Sequence, residues 1–183
     1  CLRHFTGRCW CPAAFGLRRQ LTSSLGHSNK MKRFSPLFHF ASWSPEVVPP
    51  VAAGVYAIWD EGKLIYCGMS GRGFDPSVAA TKSKHGLVTR LHSHASGRLS
   101  GDQSCVYVAN RLVIPQLESS QLAAFASGEL TLDQLTKKYI RERLSVQFAT
   151  TPTSQEAYAL EAECRSGKVF GVQPLLNPLK VTT

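Results

Sequence analysis

From Gly54 to Trp59 (Gly-Val-Tyr-Ala-Ile-Trp) the chain has the two-residue period of a β-strand. Val55, Ala57 and Trp59 fall on one face and Tyr56 and Ile58 on the other. Asp60-Glu61-Gly62 is turn sequence, and Lys63 to Cys67 reads as the returning strand of an antiparallel hairpin. A loop rich in Gly and Ser runs from Gly68 to Gly86. From Leu87 to Ala95 the period lengthens to that of a helix, with Leu87, Val88 and Leu91 as its apolar stripe and Gly97 as its stop. The β-branched stretch from Val106 to Val113 predicts a third strand. Leu117 to Ala126 and Leu132 to Arg143 predict helices, the second opening on Thr131 and Gln134 at capping-box spacing. Leu144 to Thr150 predicts a fourth strand. A last helix starts at Thr153 or Ser154, with Glu156 at capping-box distance and Ala157, Leu160, Ala162 and Cys164 turned inward. Together these elements predict one α/β domain of the α+β kind over residues 46–183: a small mixed, mainly antiparallel sheet flanked by helices.

Composition narrows the class without naming a function. A chain of 183 residues, 43% of them hydrophobic, has the material for a single packed core. With 14 Gly and 10 Pro it is neither collagen-like nor low-complexity, and no apolar run approaches the ~20 residues of a membrane-spanning helix. The net charge of +9 points to a polyanionic partner, but its distribution matters more than its sum. The first acidic residue is Glu46, and the basic residues from Arg3 to Arg33 all precede it. Residues 1–45 therefore read as a basic, disordered leader. Three explanations stay open for it: a start drawn too early, with Met31 the candidate true start; an organellar presequence; or a basic arm holding nucleic acid nonspecifically. Within the body, the stretch from Lys63 to Arg111 is basic, with Asp75 and Asp102 as its acids. Cys67, Cys105 and Cys164 sit in apolar surroundings and no Cys-x-x-Cys pair occurs, which suits a reducing compartment. The cytoplasm is the expected location, with an organelle as the alternative if the first 30 residues are a presequence.

The chemistry-bearing residues lie at the ends of these elements. Gly68-x-x-Gly71-x-Gly73 lacks the spacing and the Lys-Ser/Thr of a P-loop, and no nucleophile elbow is present. What stands out is an ordered series: Gly54-Val55-Tyr56, then Tyr66-Cys67-Gly68, then Leu87-x-x-Arg90-Leu91-x-x-His94, then Ala157-x-x-Leu160-Glu161, then Pro174-x-x-Asn177. This series resembles the GIY-YIG nuclease superfamily, nearest its restriction-endonuclease-like branch because of the Arg followed four residues later by His. The resemblance spans about residues 51–177. Val55 and Cys67 stand where the motifs that name the family carry isoleucine, apolar exchanges that a strand core tolerates.

The resemblance implies a metal-dependent endonuclease hydrolysing DNA phosphodiester bonds. Tyr56 would act as general base or orient the attacking water, which requires a nearby cation to lower its ordinary pKa of ~10. Arg90 would supply a guanidinium fork for the phosphate, and His94, one helical turn on, would reach the same phosphate or water. Glu161 would hold one divalent ion, Mg2+ or Mn2+, completed mostly by waters. Tyr66 completes the catalytic set, Gly68 and Asn177 are auxiliary, and Arg72, Lys82, Lys84 and Arg98 are the expected nucleic-acid contacts. A homodimer is the expected route to cutting both strands, since one such site cuts one. The other function class is a catalytically inactive or partner-dependent nucleic-acid-binding module on the same scaffold.

Each residue also has an ordinary structural reading. The tyrosines are good strand aromatics, Arg90 a solvated helix residue, His94 a helix-end residue, Glu161 and Arg165 an i,i+4 pair, and Asn177 a turn residue. His92 and His94, two apart on a helix, face different ways and do not make a zinc pair. Removing residues 1–30 is expected to weaken salt-sensitive DNA binding at most and to leave cleavage unchanged, as a filter-binding titration and a nicking assay on the shortened chain would show.

Overall fold

The computed structural model describes residues 33–50, 52–72 and 86–177. Their elements are β1 (Phe38–His39), β2 (Ala53–Asp60), β3 (Lys63–Ser70), α1 (Leu87–Ser96), α2 (Gln103–Val108), α3 (Ser119–Ser127), α4 (Leu132–Arg143), β4 (Leu144–Thr151) and α5 (Ser154–Arg165). The four strands make one antiparallel sheet in the order β1-β4-β2-β3.

The β2–β3 hairpin turns on Glu61 and Gly62, both at positive φ (46° and 82°), the two left-handed positions of a type I′ turn. A plain two-residue hairpin would pair Tyr66 with Ala57. Instead the register shifts after Trp59↔Leu64, and Ile58 pairs with Tyr66 and Tyr56 with Gly68. The extra residue is a β-bulge, which turns two successive side chains, Ile65 and Tyr66, toward the same face. Tyr66 is thereby brought to the face that carries Tyr56.

The sheet separates two apolar layers. On one side Tyr56, Ile58, Ile65, Val146 and Phe148 pack against Leu87 and Leu91 of α1, Cys105 and Val108 of α2 and Leu135 and Ile140 of α4. On the other, Val55, Ala57, Leu64, Cys67 and Ala149 meet Ala157, Leu160 and Cys164 of α5. The two faces of β2 are those its alternation predicts. Helix α4 has the expected bounds and a reciprocal cap: Gln134 N–H donates to Thr131 Oγ1 (3.2 Å), and Thr131 N–H to Gln134 Oε1 (2.8 Å). Helix α5 begins as expected on Thr153, whose Oγ1 accepts from the Glu156 N–H.

Three expectations are corrected. Val106–Val113 is not a strand: α2 covers its first half, a π-helical turn follows at Ala109–Val113 and a 3-10 turn at Ile114–Gln116. Asp102 caps this helix, accepting the Ser104 and Cys105 N–H groups, and the buried positions 104, 105, 108, 109 and 113 recur at helical spacing. Tertiary burial of that face outweighs the β-propensity of its valines. In α5, Ala162 is exposed, so the inward stripe is Ala157, Leu160 and Cys164. Finally, residues grouped by charge with the leader belong to the fold. Phe38 and His39 pair with β4, Phe40 is 3% exposed in the core, and Phe34 packs edge-on against Phe170.

The sheet edge at β3 is covered by the chain's last described residues. Leu175 and Leu176 N–H groups donate to the Leu64 and Ile65 carbonyls, and the Asn177 amide then takes the place of a backbone unit. Its Oδ1 accepts from Cys67 N–H (2.6 Å) and its Nδ2 donates to the Cys67 carbonyl (2.8 Å). Asn177→Leu leaves both Cys67 groups without partners and is expected to cost about 1–3 kcal/mol, read as a shift in the urea midpoint. No helix among the described residues is long and apolar enough to cross a membrane.

Candidate active site

Five side chains chosen from their order in the sequence line one cleft of about 400 Å3: Tyr56 of β2, Tyr66 of β3, Arg90 and His94 of α1, and Glu161 of α5. Gly68 to Arg72 and Asp102 to Ser104 complete its wall. The Tyr56 and Tyr66 rings stack at 6.3 Å, and His94 lies 4.9 Å from the Tyr56 ring. Gly68 is the floor on which the rings rest. A Cβ there would fall 2.6 Å from Tyr56 Cζ and 3.0 Å from Tyr66 Cε1, so only glycine allows this approach.

Arg90 is exposed, with its side chain at the cleft. Glu161 is more enclosed, its side chain 14% exposed, and its carboxylate lies 3.7 Å from the Arg165 guanidinium. The ordinary i,i+4 pair and the cleft position are thus both present. Arg72 also lines the cleft. Arg98 is exposed beyond the end of α1 and is not among the residues lining the cleft, while Lys82 and Lys84 lie outside the described residues. Asn177 acts on the Cys67 peptide, between Tyr66 and Gly68. His92 faces away from the cleft and packs against Trp43 at 4.9 Å, in keeping with its opposite position on α1.

The residue that sequence reasoning missed is Asp102. It is 2% exposed, and its carboxylate meets His94 Nδ1 at 2.7 and 2.9 Å. Ser93 Oγ donates to Oδ2 (2.6 Å), while the Ser104 and Cys105 N–H groups donate to Oδ1 (3.1 and 3.2 Å). Burial by itself would raise this carboxyl; the hydrogen bond and charge of His94, with the bonds from Ser93 and the Cys105 backbone, outweigh it and hold the pKa at about 2. A folded pKa below the ordinary 3.8 means that this stability is present above about pH 4 and is lost as pH falls toward 2. The expected contribution is about 2 kcal/mol at neutral pH, and acid titration of Asp102→Asn should lack that part of the slope. The available signal was Asp102 standing just before an apolar run, a helix-start signature.

The tyrosines behave differently from the expectation for a general base. Burial first, and then Tyr66, raise the Tyr56 phenol well above its usual value, and the charge of Arg90 offsets only part of this. Burial and the charge of Glu161 push Tyr66 up to about 12. Both hydroxyls therefore carry their protons at neutral pH, and Tyr56 by itself is a hydrogen-bond donor.

His94, Asp102 and Cys105 bring a ring nitrogen, a carboxylate oxygen and a thiol within 4.8 Å of one another, a set that could coordinate a metal ion. In this structure the donors engage each other: Nδ1 is on Asp102, and the Cys105 thiol, its pKa raised by burial and by Asp102, donates to the His94 carbonyl at 3.6 Å. A scan against protein-family models, a search of curated proteins and a search of solved structures each return no match to this chain, so its functional reading rests on the residues of the cleft.

Proposed function

We propose that this cleft hydrolyses phosphodiester bonds of DNA in the manner of a GIY-YIG-type endonuclease. The observation that carries the reading is the convergence of Tyr56, Tyr66, Arg90, His94 and Glu161, drawn from four separate elements, on one polar cleft. Phosphodiester hydrolysis needs a water that loses a proton, a cation for the phosphate oxygens and relief of charge on the leaving 3′-oxygen. The exposed Arg90 offers a planar fork that binds two phosphate oxygens. Tyr56 and Tyr66, both protonated, donate hydrogen bonds that orient the phosphate and the attacking water. The exposed Arg72 beside them extends the positive wall along the strand's backbone.

The donors of the cleft fit a hard divalent cation. Glu161 contributes a partly enclosed carboxylate, tyrosyl oxygens stand near, and Cys105 is not among the residues lining this space. Glu161 would hold Mg2+ or Mn2+ with waters filling the remaining positions. When bound, such an ion neutralises charge that develops on the phosphoryl and leaving oxygens. A softer ion on His94, Asp102 and Cys105 is the second metal reading that the geometry offers.

The test is cleavage of supercoiled, branched and single-stranded DNA by the purified full chain with MgCl2 or MnCl2. Metal-dependent nicking, stopped by chelator and reduced at least about 100-fold in Arg90→Lys, is the expected outcome. A chain that binds DNA in salt-sensitive fashion but cuts none of these substrates is instead a binding module on this scaffold.

A further inference from the structure

Asp102 has no part in the chemistry outlined above, yet its carboxylate accepts from two side chains and two backbone N–H groups. Its two oxygens are inequivalent. Oδ1 is held by two backbone N–H groups that no side-chain change can remove and lies 2.9 Å from His94 Nδ1, while Oδ2 accepts from Ser93 Oγ and lies nearer Nδ1, at 2.7 Å. An ionised carboxylate only accepts, so the nitrogen 2.7 Å from it must carry the ring proton. In the neutral ring the other nitrogen, Nε2, then bears the lone pair. It is buried and has no hydrogen-bond partner among the described residues. An unpaired buried acceptor is costly to keep, and this one belongs to a ring 3% exposed in the cleft wall, 4.9 Å from the Tyr56 ring.

We propose that Asp102 is a positioning residue that locks His94 in the Nδ1–H tautomer, so that Nε2 is the atom on which the proton of the attacking water comes to rest. The inference rests on the nuclease reading for its reaction. As the water oxygen bonds to phosphorus, its proton passes to Nε2, directly or by exchange through the Tyr56 hydroxyl. The bond from phosphorus to the 3′-oxygen breaks, and that oxygen takes a proton from solvent. The imidazolium formed is held by the Asp102 carboxylate until it returns its proton to water. No oxidant or further reactant enters.

The inequivalence of the two oxygens supplies a test. In Asp102→Asn the amide oxygen keeps the Oδ1 position, because only an acceptor satisfies the two backbone N–H groups there. The amide nitrogen then occupies the Oδ2 position, the nearer of the two to Nδ1 (2.7 against 2.9 Å), where a protonated Nδ1 would set donor against donor; the amide donates to Nδ1 instead, which drives the ring proton to Nε2 and removes the free lone pair. Asn is as good a helix N-cap as Asp, so α2 keeps its start. Two-bond 15N–1H correlation spectra of the full chain, labelled at histidine, report which His94 nitrogen is protonated, and nicking of plasmid DNA with MgCl2 reports turnover.

The expected result is Nδ1–H in the parent chain, Nε2–H in Asp102→Asn, and cleavage reduced at least about 100-fold with DNA binding within threefold. An Nε2–H ring in the parent chain overturns the proposal without any variant. A switched tautomer with unchanged cleavage overturns the proton-accepting role, as does one equivalent of zinc held tightly through His94, Asp102 and Cys105. A parent chain that cuts no DNA overturns the nuclease reading and with it the proton-accepting role, while the spectra still decide whether Asp102 sets the tautomer.

Discussion

Glu161→Gln is expected to reduce metal-dependent DNA cleavage by at least about 10³-fold while changing folding stability by less than about 1 kcal/mol. Glutamine preserves the size and most of the packing of the side chain but removes the negative charge that a hard cation requires. The stability side follows from the pair with Arg165. At 3.7 Å and partly exposed it is an i,i+4 helix pair worth roughly 0.3–0.5 kcal/mol. The two roles thus predict opposite patterns: a metal ligand loses turnover and keeps its stability, whereas a helix ion pair loses a little stability and keeps its turnover. Single-turnover cleavage across a MgCl2 titration, beside urea unfolding of the same samples, separates them. Retained cleavage at saturating metal would leave Glu161 as the partner of Arg165 and remove the metal from the proposed site.

Gly68→Ala is expected to lower stability by about 1–3 kcal/mol and cleavage by about 10²-fold. The added methyl would overlap the Tyr56 hydroxyl and approach the Tyr66 ring, and Tyr56 is 2% exposed with its neighbours packed around it. The rings have to move by a large fraction of an ångström, and they form the wall of the cleft. A control is present in the same hairpin: a Cβ at Gly62 meets nothing within 4 Å, so Gly62→Ala pays only for its φ of 82°. That variant should lose about 1 kcal/mol and keep its cleavage rate. If Gly68→Ala cleaves like the parent, the stacked tyrosines do not depend on this approach.

Much of the framework was legible because short-range rules decide it. The hairpin, α4, β4 and α5 each announce themselves by a two- or 3.6-residue period and by end signals such as Thr131 with Gln134 and Thr153 with Glu156. Helix α2 was not legible from composition. Its Val-Tyr-Val and the Leu-Val of the turn that follows favour strand, and what overrides them is the burial of one helical face against α4 and the sheet together with the Asp102 cap. The same segment hid Asp102, whose importance comes from a partner eight residues away on a different helix. The segment around Phe38 and His39 was obscured by its basic surroundings, although its aromatic residues are what pair and pack it onto β4.

The sequence by itself determined where the chemistry-bearing side chains stand along their elements: Tyr56 on the face opposite Val55 and Ala57, His94 one turn beyond Arg90, Glu161 beside the inward Leu160. Periodicity suffices for that, because strand and helix geometry repeat locally. Only the tertiary structure decided which of them meet. The bulge in β3 turns Tyr66 to the side of Tyr56, since one extra residue reverses every facing beyond it. The packing of α1 against α2 sets Asp102 on His94, and α5, crossing the opposite layer, brings Glu161 to the same cleft. Such encounters depend on register and on long-range burial, which the spacing of residues along one chain does not encode.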